Sequence, residues 1–140
     1  MFESIAQNKE NKFYIVTEEA IAKVQEELGI IFPNELKEFY KKVGYGFLNT
    51  KQENFNRIMN PESVCDFRFR KGQFSYSSDL DIYEDEEKDR LFFFEICEGN
   101  YLSIGFSRYN NGKIFYGDKE IANSLEEFLT KYQENERYFE

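Results

Sequence analysis

Thr17 to Gly44 reads TEEAIAKVQEELGIIFPNELKEFYKKVG, and this stretch predicts two helices in succession. Thr17 can accept from the unpaired N–H groups of a first turn, and Glu18 and Glu19 suit its positive end. Ile21, Val24 and Leu28 recur at helical spacing and give that helix one apolar face. Gly29 is the expected stop, because a helix end often needs a left-handed residue and glycine takes that conformation without a Cβ penalty. A short apolar link, Ile30 to Phe32, leads to Pro33, whose fixed φ suits a first helical turn. Leu36, Phe39, Tyr40 and Val43 then form a second apolar stripe. Lys41 and Lys42 complement its negative end, and Gly44 stops it.

Downstream the pattern changes. Phe55 to Met59 reads as a short strand. Asn60-Pro61 is a cap followed by a proline, which opens a third helix running to about Arg70. Ser75 to Asp89 is polar and acidic and reads as a loop. Leu91 to Cys97 is a buried strand, Glu98-Gly99-Asn100 a turn, and Tyr101 to Tyr109 a second strand in which Leu102, Ile104 and Phe106 alternate. Asn110-Asn111-Gly112 signals a hairpin, closed by Lys113 to Tyr116. Ser124 and Glu127 form a capping box ahead of a last helix whose face is Leu125, Phe128, Leu129 and Tyr132. The tail from Asn135 is expected to fray. Residues 1–140 thus predict one α+β domain, helices packed against a mainly antiparallel sheet, with no repeat or linker.

Composition limits the partners. The 140 residues hold 41% hydrophobic and 19% aromatic side chains, enough to form a core without disulfides or metals. The formal charge is -9, and the nearest thing to a basic run is Arg68, Phe69, Arg70 and Lys71, so nucleic acid is not an expected partner. A basic protein is, because opposite fields speed encounter. The N-terminus lacks the pattern of a secretory leader and no apolar run could span a membrane, so a cytoplasmic protein with no membrane partner is expected. Cys65 and Cys97 are expected to be free thiols, small and buried.

There is no histidine, which removes Ser-His-Asp and Cys-His mechanisms and the common zinc sites. Asp79 and Asp81 begin like a calcium loop, but Tyr83 and Glu84 stand where that loop needs an oxygen ligand and glycine. Gly44-Tyr45-Gly46 follows a helix and lacks the Gly-Lys-Ser/Thr of a phosphate cradle, so it reads as a helix cap and turn. The aromatic series Phe92, Phe93, Phe94, Phe106, Phe115 and Tyr116 carries no interleaved basic residues and reads as core. No catalytic residue, cofactor or metal site is expected.

Leu28-Gly29, then Phe32-Pro33, Leu36-Lys37, Phe39-Tyr40 and the Gly44-Tyr45-Gly46 turn resemble the SUKH superfamily. A strand pair around Ile104 and Ile114 and a final helix carrying Glu127-Phe128-Leu129 extend the similarity from about Thr17 to Tyr132. The superfamily includes the Smi/Knr-type yeast cell-wall regulator and many bacterial immunity proteins. Many members have Asn-Gly at the end of the second helix, where this chain has Val43-Gly44. The resemblance implies a non-enzymatic protein that binds and neutralises a cognate toxin, with a nuclease as the implied target. The alternative it implies is an intracellular regulatory or scaffold module without a toxin. The motif residues themselves build the fold and mark no site. For the partner surface, the chain offers the acidic segment Asp79, Asp81, Glu84, Asp85, Glu86 and Glu87, with Tyr76 and Tyr83 as aromatic anchors.

Overall fold

The structure, a computed structural model, describes residues 1–51, 56–75, 78–97 and 99–140. Phe55, Tyr76 and Glu98, to which the sequence gives a strand start, an anchor and a turn, lie outside the described residues.

The four longer helices form where the sequence places them, and a short N-terminal helix that the sequence reading did not give precedes them. Helix α1 spans Glu3–Gln7, α2 Glu18–Leu28, α3 Asn34–Lys42, α4 Pro61–Phe69 and α5 Leu125–Glu134. Thr17 caps α2 by accepting from the Ala20 N–H, and Gly29 ends it at φ 66 with its N–H on the Gln25 and Glu26 carbonyls. Pro33 stands one residue ahead of α3, at its cap, so the first helical residue is Asn34. The link before it is held by the Gln25 side chain, which accepts from the Phe32 N–H at 2.8 Å. At α5 the Ser124 hydroxyl accepts from the Glu127 N–H, while the Glu127 carboxylate reaches one residue further back, to the Asn123 N–H.

Among the described residues seven strands pair antiparallel in sequence order, β1 (Lys12–Tyr14), β2 (Tyr45–Phe47), β3 (Asn56–Ile58), β4 (Arg90–Ile96), β5 (Asn100–Gly105), β6 (Ile114–Tyr116) and β7 (Lys119–Ala122). Three differences from the sequence reading have clear causes. Gly44-Tyr45-Gly46 is not a turn: Tyr45 opens β2, and Phe13 of β1 lies opposite Gly46. β5 stops at Gly105 instead of running to Tyr109. There Gly105 accepts from the Gly112 N–H, and the buried Asn110 side chain accepts from the Ser107 N–H and hydroxyl, closing residues 106–113 into a loop. The tail does not fray, because the Tyr138 hydroxyl donates to the Ile121 carbonyl, Lys119 donates to the Phe139 carbonyl, and Phe139 is buried on Tyr116.

The sheet is covered on both faces. Glu95 lies opposite Tyr101 and Phe94 opposite Leu102, so Tyr101 and Phe94 point to opposite sides. On one side Phe94 meets Phe128 and Tyr132 of α5, with ring centroids 5.2 Å apart in both pairs. On the other, Phe67 of α4 meets Phe92 and Tyr101 at 5.0 and 4.8 Å. Phe92 and Phe94 are two residues apart, yet they serve opposite faces. The bulge between them shifts the alternation by one and lets the whole Phe92-Phe93-Phe94 run be buried.

Helices α3 and α5 meet at Glu35, whose carboxylate accepts from the Glu126 N–H at 3.4 Å. Burial there raises the Glu35 pKa above 4.5. A carboxyl whose folded pKa is raised favours the folded state below its unfolded pKa and loses that contribution as pH rises through the folded one. Glu35→Gln keeps the accepting oxygen without the charge, so it is expected to raise the melting temperature at neutral pH. The advantage should vanish below pH 4.5. Melting both proteins across this range checks it; a pH-independent difference would show that desolvation is not the cause.

Candidate functional site: a clamped acidic turn

The Ser75 to Asp89 segment, expected as a loop, is built of 3-10 turns at Ser78–Tyr83 and Glu86–Lys88. Leu80 is 4% exposed and anchors the first turn in the core. Tyr83 is half-buried, its ring 4.6 Å from Phe92 and 6.0 Å from Phe67, and burial raises its pKa. Glu87 is buried as well.

Arg68 of α4 and Arg70 at its C-terminal cap hold the segment from beneath. Arg70 ends α4 in the left-handed region at φ 55, which turns its side chain under the acidic turns. Its guanidinium donates to both Glu87 oxygens at 2.7 and 3.1 Å, to the Leu80 carbonyl at 3.0 Å and to the Phe67 carbonyl at 2.6 Å. The bonds to Glu87 hold the Arg70 pKa above its ordinary value. Arg68 donates to the Glu87 carbonyl at 2.8 Å and lies over the Phe106 ring. Both arginines of the nearest thing to a basic run in the sequence are therefore engaged by the molecule's own acidic segment, while Lys71 stays exposed.

The expected site residues separate into two groups. Asp79, Asp81, Glu84 and Asp85 are exposed and stand on the outer side. Glu87 and Tyr83 face inward, and Glu86 is intermediate, its pKa raised by burial. Glu86 lies 3.9 Å from Arg90, which also donates to the Gly117 carbonyl at 2.7 Å and stacks 4.2 Å from the Phe115 ring. Arg90 thus draws the β6–β7 turn, with its exposed Asp118, against the acidic turns. Ile82, which the sequence reading passed over, is 77% exposed among these carboxylates. Its only signal was position: in Asp79-Leu80-Asp81-Ile82, one aliphatic residue must point in, and nothing local says which.

Elsewhere, an open groove of about 430 Å³ runs between α2 and α4 and contains Glu27, Glu62 and Cys65. The Cys65 thiol is pushed up to about 11 by burial and by its hydrogen bond to Glu27, which makes it a poor nucleophile. Among the described residues no group of three or more His, Cys, Asp or Glu side chains is arranged to hold a metal ion, and no helix is long and apolar enough to cross a membrane.

A sheet in sequence order, a glycine-ended α2, a proline before α3 and a closing α5 define a SUKH-type α+β fold. The chain belongs to the SMI1/KNR4 family (SUKH-1), whose model matches residues 15–131. It is 44% identical over 135 residues, 96% of this chain and 92% of the relative, to a Bacillus subtilis (strain 168) protein named immunity protein YxxD.

Proposed function

We propose that this protein is an immunity protein that binds a cognate toxin and neutralises it by direct contact, without catalysis. The observation that carries the reading is the similarity over nearly the whole length to immunity protein YxxD. The acidic turn gives it a physical form. Exposed carboxylates on a pinned backbone need no reordering on binding, which lowers the cost of association. They complement a basic toxin surface, as nucleases carry for their substrate, and speed encounter with it. Ile82 supplies the apolar contact that slows dissociation, with the carboxylates as a polar rim.

Changing Asp79, Asp81, Glu84 and Asp85 together to Lys is expected to lower the association rate about 100-fold at low salt, with a smaller loss at high salt. Ile82→Ala is expected to raise the dissociation rate about tenfold and leave association nearly unchanged. Both sets of side chains are exposed, so melting temperatures should hold. A toxin found encoded beside this protein's gene serves as the probe, with survival of toxin-expressing cells as the second readout. Full protection and wild-type rates from the charge-reversed protein would move the interface elsewhere. Failure of the unmodified protein to protect would remove the immunity reading itself.

A further inference from the structure

Arg90 ties together two segments that are far apart in sequence. It opens β4, and its partner on β5 is Gly105. Two residues along β5, on the same face, Ser103 lies opposite Phe115 of β6. Gly105 and Ser103 are both small, so the guanidinium can lie across β5. It stacks 4.2 Å from the Phe115 ring centroid and donates to the Gly117 carbonyl at 2.7 Å. Three carboxylates gather about it, Asp89 at 3.4 Å and Glu86 and Asp118 each at 3.9 Å. The Arg90 and Glu86 side chains are 15% and 13% exposed, whereas that of Asp118 is 97% exposed. The β6–β7 turn is thus held from beneath, and Asp118 stands free above it.

We propose that Arg90 is a positioning residue of the toxin-binding surface, and that Asp118, which it holds beside the acidic turn, belongs to that surface. This rests on the immunity reading and enlarges the site from one segment to two. Charge says what meets it. One guanidinium faces three carboxylates, and its shortest hydrogen bond goes to a carbonyl, so negative charge is left over. Burial first, then the like charges of Asp118 and Glu87, hold the Glu86 pKa above 4.5 against the pull of Arg90. Gathering like charges costs stability, and a cationic side chain arriving at Asp118 offsets that cost. A second copy of this chain, at net charge -9, or a nucleic acid would add to it. The next cation along the chain, Lys119, donates to the Phe139 carbonyl. Because the turn is tethered at Gly117, it pays little ordering entropy when a partner binds.

Stopped-flow association with a toxin found encoded beside the gene tests it, at about 0.15 M salt, where a charge acts over only about 8 Å. Asp118→Lys is expected to slow association about fivefold, with the melting temperature unchanged because the side chain is exposed. Glu10→Lys makes the same charge change ahead of β1, at the opposite edge of the sheet, and is expected to alter the rate by less than about 1.5-fold. Arg90→Lys keeps the charge but not the planar fork that reaches Gly117 and the carboxylates together. In that background Asp118→Lys is expected to cost about twofold or less, and amide exchange at residues 117 and 118 should rise. If Arg90→Lys does not fold, Phe115→Leu removes the stacking platform and serves the same comparison. Wild-type association by the Asp118→Lys protein overturns the inference. So does an equal loss from Glu10→Lys, which would report net charge alone, or a fivefold loss undiminished when Arg90 is replaced. Slowing by reversal of Asp79, Asp81, Glu84 and Asp85 with none from Asp118→Lys removes this extension and leaves the immunity reading standing. An unmodified protein that does not bind the toxin removes both.

Discussion

Gly46→Ala is expected to cost about 4 kcal/mol of stability, enough to leave much of the protein unfolded at physiological temperature. A Cβ at residue 46 would stand 2.1 Å from the Lys12 carbonyl oxygen and 3.0 Å from the Phe13 Cα. Both are backbone atoms of the paired strand, so no side chain can swing away. Relief requires opening the β1–β2 ladder. The damage would spread, because Phe13 and Phe2 both pack on Phe39, with centroids 5.7 and 5.0 Å away, and Phe39 itself is fully buried. Gly46 also sits at φ 152, where a side chain is strained even in open space. Gly29→Ala provides the contrast. Nothing lies within 4 Å of a Cβ there, and only the left-handed backbone at φ 66 resists it. It is expected to cost about 1 kcal/mol. Urea denaturation of the two variants side by side decides the matter. Equal losses would mean that strand approach adds nothing at Gly46 beyond ordinary backbone preference.

Arg70→Met is the second large effect, expected at about 3 kcal/mol. The substitution keeps a non-glycine residue at φ 55, so backbone strain is largely the same before and after. What changes is that Glu87, 9% exposed, keeps its carboxylate with the guanidinium gone, and the Leu80 carbonyl loses its donor. A buried charge stripped of its partner costs more than the pair gave in net stability. Removing both ends should therefore be milder than removing one, and Arg70→Met with Glu87→Met is expected to regain most of the loss. The double-mutant cycle measures this coupling. Amide exchange over residues 78–88 should rise in the single variant, since the clamp holds that backbone in place. A coupling energy near zero would show that the acidic turn is held by Leu80 and Tyr83 alone.

The same arginine shows how sequence and structure divide the information. Arg70 and Glu87 are seventeen residues apart, and each was visible only as part of a charge run, one basic and one acidic. No local rule pairs them. Their meeting depends on α4 packing across β4, which brings the end of that helix beneath the turns. Likewise Tyr83 faces inward with Leu80 because side chains three apart share a face in a 3-10 turn, which leaves Ile82 off that face and exposed, while Glu87 turns inward onto Arg70.

By itself the sequence determined the longer helices, the hairpin region that follows residue 90, the family and the buried Phe92-Phe93-Phe94 run, whereas Phe106 and Phe115, also read as core, are half-buried and Tyr116 is exposed. Each of these is written in near-neighbour patterns: apolar residues at helical spacing from Ile21 and from Leu36, Ser124 capping the helix of Phe128 and Tyr132, and Gly29 and Pro33 at the helix ends. Tertiary structure decided β1, β2 and β7. Strands of three or four residues have too few alternations to be legible, and they exist only because a neighbouring strand supplies their hydrogen bonds. It also decided which charged and apolar residues reach the surface. Burial of an individual side chain is set by what packs over it from elsewhere in the chain, and four residues of acidic sequence look the same whether an arginine waits beneath them or not.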